Sequence, residues 1–485
     1  MTGRKIILTL LLLFFPLVFF LFSLPLKTSA ALPGDANNDG IVDGVDYVFW
    51  LNNYNKIVND GSSSGDFDGN GKVDGADYVI WLNNYGSSGS VNATPTKTPT
   101  PVNPSNPPVT PIQGSGIWIS KEEIAKLPIT GQAGCAQGSF CADAWNGIIS
   151  KADSSWGTPD LTDYAGLGHS QAVWTGALAA ARLSLESNRQ ADAQKYYDKT
   201  INALNDILGT EAPALPSSGG GKDDGSLALA RQFPRYVIAA DLLGITNWAP
   251  NYKGYKNFVD YILRTKFTFR VGDGGHSLAE GGGKCASNGC AMSQSARIAG
   301  AAYLKDQTQL NDAWLTFRRY SGDYTSSVTI EFSSAGDAWY HNNSNKLAIN
   351  PKGATCAGST YPADGVIPND QGRGGNCPSN PNTTPGYTQY PWEGLQGAYG
   401  AAYMLYRLGY NLNGKNPFQI NDQALLRAVQ YQWYLQQKFG GSWYDSGRAA
   451  WVKHLAWYFY GYKPVSYDPS DAGRNIGFTQ WTHQK

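Results

Sequence analysis

The chain has 485 residues and a formal net charge of zero, and this length favours two or more domains. The charge is unevenly spread, because residues 32–86 hold nine Asp and only two Lys. Nowhere do Lys and Arg cluster into the basic patch that nucleic-acid binding needs, so the composition argues against a nucleic-acid partner.

Residues 1–30 have the pattern of a secretory signal peptide. Arg4 and Lys5 precede a long apolar run, and a small-residue cleavage site ends at Ala30. The apolar run has about the ~20 residues that cross a bilayer, so an uncleaved membrane anchor is the alternative. Both interpretations predict a protein that is secreted or held at the cell surface.

Residues 34–54 recur as residues 65–85, with the same order of acidic residues and the same helical end, "DYVxWLNNY". Gly40 and Gly71 stand at the sixth position of each loop, where a calcium loop turns sharply, and hard oxygen ligands at this spacing predict two Ca²⁺ sites. Ile41 and Lys72 contribute backbone carbonyls. The predicted ligands are Asp35, Asn37, Asp39, Ile41, Asp43 and Asp46 in the first loop, and Asp66, Asp68, Asn70, Lys72, Asp74 and Asp77 in the second.

The tandem loops close with Asp rather than with the Glu of an ordinary EF-hand, and residues 32–86 therefore resemble a type I dockerin domain. The resemblance implies a small EF-hand-like domain whose partner is a cohesin module on a scaffold protein. Many dockerins carry Ser or Thr at the two positions after the ninth loop residue. Here these positions are Gly44, Val45, Gly75 and Ala76, so the particular cohesin does not follow from the sequence.

Residues 87–114 are dominated by Ser, Thr and Pro, which predicts a semi-extended linker without a core. A tethering domain, a linker and a large domain are the layout of secreted polysaccharide-degrading enzymes. This association does not identify a reaction.

Residues 115–485 form the large domain, and their apolar residues recur at helical spacing of three and four. Small residues on one helix face and aromatic residues on the other predict helical hairpins that stack into an (α/α) toroid, a mainly α fold. The best strand candidate is 327–332. The predicted helices are 169–186, 191–208, 225–245, 256–267, 291–306, 310–322, 390–410, 423–439 and 449–462.

The six cysteines lie in three local pairs, which in an exported chain indicates disulfides. The predicted bonds are 135–141, 285–290 and 356–377. The third closes the loop that carries Arg373.

Residues 364–396 combine a lone arginine in a glycine-rich loop, Arg373, with a tyrosine directly before a helix that opens on Pro391. A lyase removes the C5 proton of a uronic acid, and this requires donors that neutralise the neighbouring carboxylate. Arg373 and Asn288 are such donors. Tyr390, with its pKa lowered by a nearby cation, is the candidate base and then acid. The alternative for Arg373 is an ion pair with Asp364 or Asp370.

This segment resembles the alginate lyase superfamily of (α/α)-toroid polysaccharide lyases, on "DGVIP" (364–368), Arg373 in "GRG", and Tyr390 with Leu395. The resemblance implies that the arginine binds the substrate carboxylate and that the tyrosine is the catalytic acid and base. Residues 287–323 resemble the family segment that opens with Asn-His. Asn288 matches the asparagine, but Gly289 stands at the histidine position. His341 is the first candidate to replace this histidine, with His276 and His169 as alternatives.

The sequence therefore predicts a secreted lyase that cleaves a uronic-acid polysaccharide by β-elimination, with no cofactor in the large domain. Gly289 argues against alginate itself, and the sequence does not identify the uronan. One alternative is a glycoside hydrolase on a similar toroid, which needs two carboxyl groups. The other is a non-catalytic carbohydrate-binding protein, which the 15 Trp would suit. The hydrolase candidates are Glu280, Asp337, Asp364, Asp370 and Glu393.

Overall fold

The structure, a computed structural model, is mainly helical in the residues that it describes. These are 32–38, 40–42, 44–85, 87, 116–163, 166–211, 225–266, 277–444, 450–466 and 473–483. Within these ranges there are isolated bridges but no extended strand. The strand candidate 327–332 was wrong, because it contributes only the bridge of Glu331 to Cys285. The predicted signal peptide lies outside the described residues, and none of the described helices is long and apolar enough to cross a membrane.

The chain divides into two compact units, Met1–Pro104 and Ser105–Lys485. In the N-terminal unit, helix α1 (Gly44–Asn53) and helix α2 (Gly75–Asn84) each follow one copy of the repeated loop, and a 3₁₀ turn (Gly61–Ser64) lies between them.

Four aromatic rings from the two helices form the core of the N-terminal unit. Tyr47 packs on Trp81 and Trp50 packs on Tyr78, with ring centroids 5.0 and 5.2 Å apart. The two contacts are equivalent, because each joins the tyrosine of one repeat to the tryptophan of the other. A Cβ atom at Gly65 would lie 2.4 Å from the Cα atom of Trp50, so glycine lets the second loop begin against the first helix.

The C-terminal unit is built from helices of very different length. The short ones are α3 (Lys121–Ile124), α8 (Phe258–Arg264), α9 (Leu278–Gly281), α12 (Pro368–Gln371) and α16 (Thr479–Thr482). The long ones are α4 (Phe140–Asp153), α5 (Leu167–Leu183), α6 (Gln190–Asp206), α7 (Gly225–Leu242), α10 (Asn288–Leu304), α11 (Gln307–Tyr320), α13 (Tyr390–Arg407), α14 (Ile420–Phe439) and α15 (Ala450–Tyr460). The 3₁₀ turns are Tyr252–Gly254, Ser334–Gly336 and Gly372–Gly374.

Helices α5, α7, α10, α13 and α15 form a series in which each contacts the next, although other helices intervene in sequence. Helix α6 packs on α5, α8 and α11 pack on α10, and α14 packs on α13. The series therefore occupies the centre of the unit, and buried alanines and large aromatic residues fill it.

Helices α10 and α13 pack closely and run parallel. A Cβ atom at Gly397 would lie 2.2 Å from the carbonyl carbon of Ala291, and one at Gly400 would lie 2.7 Å from Oγ of Ser295. From the first contact to the second, the residue number rises in both helices, so the two helices run in the same direction. Their N-terminal ends therefore lie at the same end of the pair. Asn288 and Tyr390 begin these two helices.

The three predicted disulfides are confirmed. Cys135–Cys141, Cys285–Cys290 and Cys356–Cys377 are all bonded, and no described cysteine is free. Each bond closes a local loop, as the paired spacing of the cysteines predicted.

Candidate functional site

The loop that carries Arg373 follows helix α12 and depends on glycine for its path. A Cβ atom at Gly372 would lie 1.8 Å from the carbonyl oxygen of Ala335, and one at Gly374 would lie 2.3 Å from that of Gly386. No side chain fits at either position, because the backbone approaches other backbone on both sides. The glycines around Arg373 thus serve close packing, and the arginine is left exposed on a confined loop.

Two further contacts hold the same loop. The indole Nε1 of buried Trp339 donates a hydrogen bond to the carbonyl of Gly375 at 2.6 Å. The Cys356–Cys377 disulfide then ties the end of the loop to the preceding segment. Arg373 is therefore presented by a fixed backbone.

The predicted pair of Arg373 and Tyr390 is in direct contact. The guanidinium carbon of Arg373 lies 3.8 Å from the centroid of the Tyr390 ring, a cation–π distance. Tyr390 is half-buried at the first position of α13, and its backbone N–H donates to Oγ1 of Thr388 at 3.3 Å. The cation therefore lies against the phenol ring that the sequence analysis paired with it.

Asn288 lies at the start of the neighbouring helix, where a Cβ atom at Gly394 of α13 would lie 3.7 Å from its Cα atom. It is buried, and its Nδ2 donates to Oε2 of Glu393 at 3.0 Å. Glu393 lies one turn after Tyr390, is buried, and forms an ion pair with Arg231 of α7 through the same oxygen. Its second oxygen, Oε1, lies 3.7 Å from Nε of Arg474. We call Asn288, Glu393, Arg231 and Arg474 the Glu393 cluster.

Asp370 connects the arginine loop to the start of α10. Its Oδ1 accepts the backbone N–H of Asn288 at 3.0 Å, whereas its Oδ2 is buried without a hydrogen-bond partner. A Cβ atom at Gly394 would lie 2.6 Å from that Oδ2 and 3.5 Å from the hydroxyl of Tyr320. Burial raises the pKa of Asp370 well above its ordinary value, although Asn288 and Arg373 oppose this shift. Burial also raises the pKa of Tyr320.

The site is rich in arginine. Arg231 and Arg474 lie against Glu393, Arg373 lies near Asp370, and burial raises the pKa of Asp370 well above its ordinary value. Within the described residues no ion pair joins Arg373 to a carboxylate, because Asp364 pairs with Arg427 instead. An anionic ligand suits such a surface.

The structure does not bring His341 together with these residues. Its ring is exposed, with Nδ1 2.9 Å from the carbonyl oxygen of Thr355. Among the described residues, no hydrogen bond or ring contact joins it to Asn288, Arg373 or Tyr390. His169 is buried, with Nδ1 2.8 Å from the hydroxyl of Tyr236, and His276 lies outside the described residues.

Gly289, at the position where the family has histidine, leaves room for a side chain. A Cβ atom there would meet nothing closer than Oγ of Ser287 at 3.8 Å and Cδ1 of Leu227 at 3.9 Å. The site thus lacks the imidazole of the family pattern, and no neighbouring atom occupies the position of a Cβ atom at Gly289.

The second repeated loop gathers carboxylates at one point. Asp66, Asp68 and Asp77 each offer an oxygen, and these oxygens lie within 4.8 Å of one another. Two oxygens that bind one Ca²⁺ at about 2.4 Å are at most about 4.8 Å apart, so the cluster has the size of a cation site. Asp66 accepts the N–H of Gly71 at 2.9 Å and Asp77 accepts that of Phe67 at 2.7 Å, which folds the loop around the acidic side chains.

The other predicted ligands of this loop make local contacts. The Nδ2 group of Asn70 donates to Asp68 at 2.9 Å, and its Oδ1 accepts the backbone N–H of Lys72. Asp74 caps α2 by accepting the N–H of Ala76, and its Oδ2 lies 3.3 Å from the Lys72 ammonium. These residues frame the acidic cluster without joining it.

The first loop repeats the same backbone contacts. Asp35 accepts the N–H of Gly40 at 2.9 Å, and Asp46 accepts that of Ala36 at 2.7 Å. Oδ1 of Asp35 is buried without a hydrogen-bond partner. Of the remaining predicted ligands, Asn37 and Ile41 are described, whereas Asp39 and Asp43 lie outside the described residues.

Sequence reasoning missed Arg231 and the connecting role of Glu393. Arg231 lies in the middle of an apolar helix, and this buried charge was the available signal. Comparison with protein-family models, with curated proteins and with solved structures found no match to this chain.

Proposed function

We propose that the C-terminal unit is a polysaccharide lyase that cleaves a uronic-acid polymer by β-elimination. The observation that carries the proposal is the cation–π contact of Arg373 with Tyr390, on a loop that Asp370 connects to the buried Asn288. A cationic donor, an amide donor and a phenol are the three groups that abstraction of a proton next to a carboxylate requires.

In this proposal Arg373 and Asn288 bind the uronate carboxylate. Charge that develops at C5 then spreads onto a carboxylate whose oxygens already accept hydrogen bonds. Tyr390 takes the C5 proton and returns a proton to the oxygen of the leaving sugar, so no further acid is needed. The helices in series, α5, α7, α10, α13 and α15, are compatible with an (α/α) toroid around this site.

A glycoside hydrolase fits the same region less well. Its acid and its base or nucleophile must reach the scissile bond from solvent. The Glu393 carboxylate is already bound by Arg231 and by the amide of Asn288, and Oδ1 of Asp370 accepts the backbone N–H of Asn288. Asp337 and Asp364 are held by Lys346 and Arg427. No observation favours a purely binding role over the lyase.

A panel of uronic-acid polymers tests the reaction. We expect one of glucuronan, polymannuronate, polyguluronate or polygalacturonate to gain ultraviolet absorbance from an unsaturated sugar. Reducing ends without that absorbance would identify a hydrolase. Retained polymer binding without either product would identify a binding protein.

We infer for the N-terminal unit a calcium-dependent, dockerin-like role. Two Ca²⁺ ions are proposed to bind the repeated loops, and the acidic cluster of the second loop together with the orphaned Asp35 oxygen supports this. A cohesin module is the proposed partner. Leu51 and Leu82, equivalent in the two repeats, are each 51 % exposed. Exposed apolar residues of this kind are typical of a surface that binds another protein. Because residues 1–30 have the pattern of a secretory signal peptide, we propose that the protein acts outside the cell.

Calorimetry tests the calcium part. We expect two ions to bind, with loss on addition of a chelator. A chain that takes up no calcium would rule out this role while leaving the lyase proposal standing.

A further inference from the structure

The C-terminal segment Gly473–His483 is packed into the centre of the large unit, and we call it the C-terminal strap. It follows the last long helix, and Ile476 and Trp481 within it are fully buried. The indole Nε1 of Trp481 donates to the carbonyl of Pro128 at 2.9 Å, 353 residues earlier in the chain. The strap is therefore part of the core.

The start of the strap is held by one amide oxygen. Oε1 of Gln396, in α13, accepts the backbone N–H groups of Arg474 at 2.6 Å and Asn475 at 3.1 Å, and the indole N–H of Trp451 at 3.0 Å. Gln396 lies one turn after Glu393, on the helix that Tyr390 begins. The anchor of the strap is thus on the same helix as the site.

A second anchor comes from α7. The guanidinium of buried Arg235 donates to the carbonyl of Ile476 at 3.0 Å and to that of Gly473 at 3.1 Å. At Gly473, φ is +55° and a Cβ atom would lie 2.3 Å from Cδ1 of Trp451. Only glycine fits this turn, and the turn fixes the direction in which the next residue leaves the core.

That next residue is Arg474. Its side chain is 33 % exposed, and its Nε lies 3.7 Å from Oε1 of Glu393. The other oxygen of Glu393 accepts the amide of Asn288 at 3.0 Å. The two oxygens of Glu393 therefore connect Nε of Arg474 to Nδ2 of Asn288.

We propose that Arg474 is a substrate-binding residue that takes a carboxylate of the uronic-acid polymer, and that Glu393 holds Arg474 and Asn288 in position for it. This inference rests on the proposed function and deepens it. The buried Glu393 contacts two donors from distant parts of the chain. Arg231 forms an ion pair with Glu393 and so balances the charge of the carboxylate. About a third of the Arg474 side chain is exposed (33 %), so its cation is accessible to a ligand.

The test compares Arg474→Ala, Arg474→Gln and Arg474→Lys with wild type. The control is Arg264→Ala, since Arg264 is similarly exposed and pairs with Asp260 and Asp306 on the surface. Turnover is measured on the polymer that wild type cleaves. We expect Arg474→Ala and Arg474→Gln to raise KM about 10- to 100-fold, the range for a lost hydrogen bond to a charged group. Arg474→Lys recovers part of the loss, and the control is unchanged.

A binding measurement separates substrate contact from a structural role. In the Tyr390→Phe background, which does not consume the probe, affinity is measured for tetrasaccharides of glucuronate, mannuronate and galacturonate. The same sugars with reduced carboxyl groups are measured beside them. We expect Arg474→Gln to weaken binding of the carboxylated probe and to leave that of the reduced probe nearly unchanged. A merely structural role would weaken both equally and would overturn the inference.

The remaining outcomes are distinguishable. If wild type cleaves a polymer and both Arg474→Ala and Arg474→Gln have an unchanged KM, the inference is overturned and the lyase proposal stands. Wild type that neither cleaves any polymer nor binds any carboxylated tetrasaccharide overturns the lyase and the inference together. Thermal unfolding of each variant identifies loss of fold. If Arg474→Ala does not fold, the KM and the binding affinities of Arg474→Lys are used instead.

Discussion

Replacement of Tyr390 by Phe removes one hydroxyl and nothing else. The ring stays beneath Arg373 at 3.8 Å, and among the described residues the Tyr390 hydroxyl accepts and donates no hydrogen bond. We therefore expect a change in unfolding free energy within about 0.5 kcal/mol, as for an ordinary surface substitution. The fold and most of the substrate affinity should survive.

The effect on catalysis should be far larger. Loss of a general acid–base group lowers turnover by about 10²- to 10⁴-fold, which corresponds to about 2.7–5.4 kcal/mol of activation free energy. Since the hydroxyl acts in the transition state, KM should change little. Initial rates of ultraviolet gain over a range of polymer concentrations give both constants.

The matched control is Tyr387→Phe, three residues earlier on the same loop. The Tyr387 hydroxyl accepts a hydrogen bond from Gln389 at 3.0 Å and lies 3.5 Å from the Ser442 carbonyl, so this variant loses more protein contacts than Tyr390→Phe does. We expect Tyr387→Phe to keep turnover within about threefold of wild type, because a loss that small is well below the effect of an acid–base group. If Tyr390→Phe also keeps wild-type turnover, the assignment is wrong, and Tyr387 and His341 become the next bases to test.

Arg373→Ala should raise KM as well as lower turnover, since this guanidinium binds the carboxylate in ground and transition states alike; an unchanged KM would contradict the assignment. Asp66→Ala should reduce calcium uptake from two ions to one by calorimetry, and two ions bound to this variant would exclude the acidic cluster as a site. Burial lowers the pKa of His169 from 6.5 to about 4, so the unfolded chain binds the proton first and stability falls as the pH drops through this window. From about pH 7 to pH 4, wild type should lose about 3 kcal/mol more than His169→Gln in urea unfolding, and parallel pH profiles would refute the buried neutral histidine.

Helical periodicity predicted much of the fold. The segments 191–208 and 390–410 match helices Gln190–Asp206 and Tyr390–Arg407, because an amphipathic stripe is a local property of the sequence. The disulfides were equally local, since each pair is separated by 21 residues or fewer. The pairing of Arg373 with Tyr390 followed from the motif.

The Glu393 cluster was not predictable in the same way. Arg231 and Glu393 are 162 residues apart in the chain, and no periodic pattern specifies which buried charges meet. The sequence named Glu393 only as one of five hydrolase candidates. The structure instead surrounds it with donors, and this depends on how α7, α10 and α13 pack.

A buried ion pair of this kind is a poor way to stabilise a fold. Removing Glu393 and Arg231 from water costs several kcal/mol for each ion, and their mutual attraction repays that cost only with good geometry and further hydrogen bonds. Apolar residues of the same size would stabilise the centre of α7, α10 and α13 as well or better. The carboxylate also orients its neighbours, because its two oxygens contact the amide of Asn288 and the guanidinium of Arg474. The proposed lyase must neutralise an anionic sugar before proton transfer and needs donors that are already aligned; on that proposal, a charge is buried where packing alone would place an apolar residue.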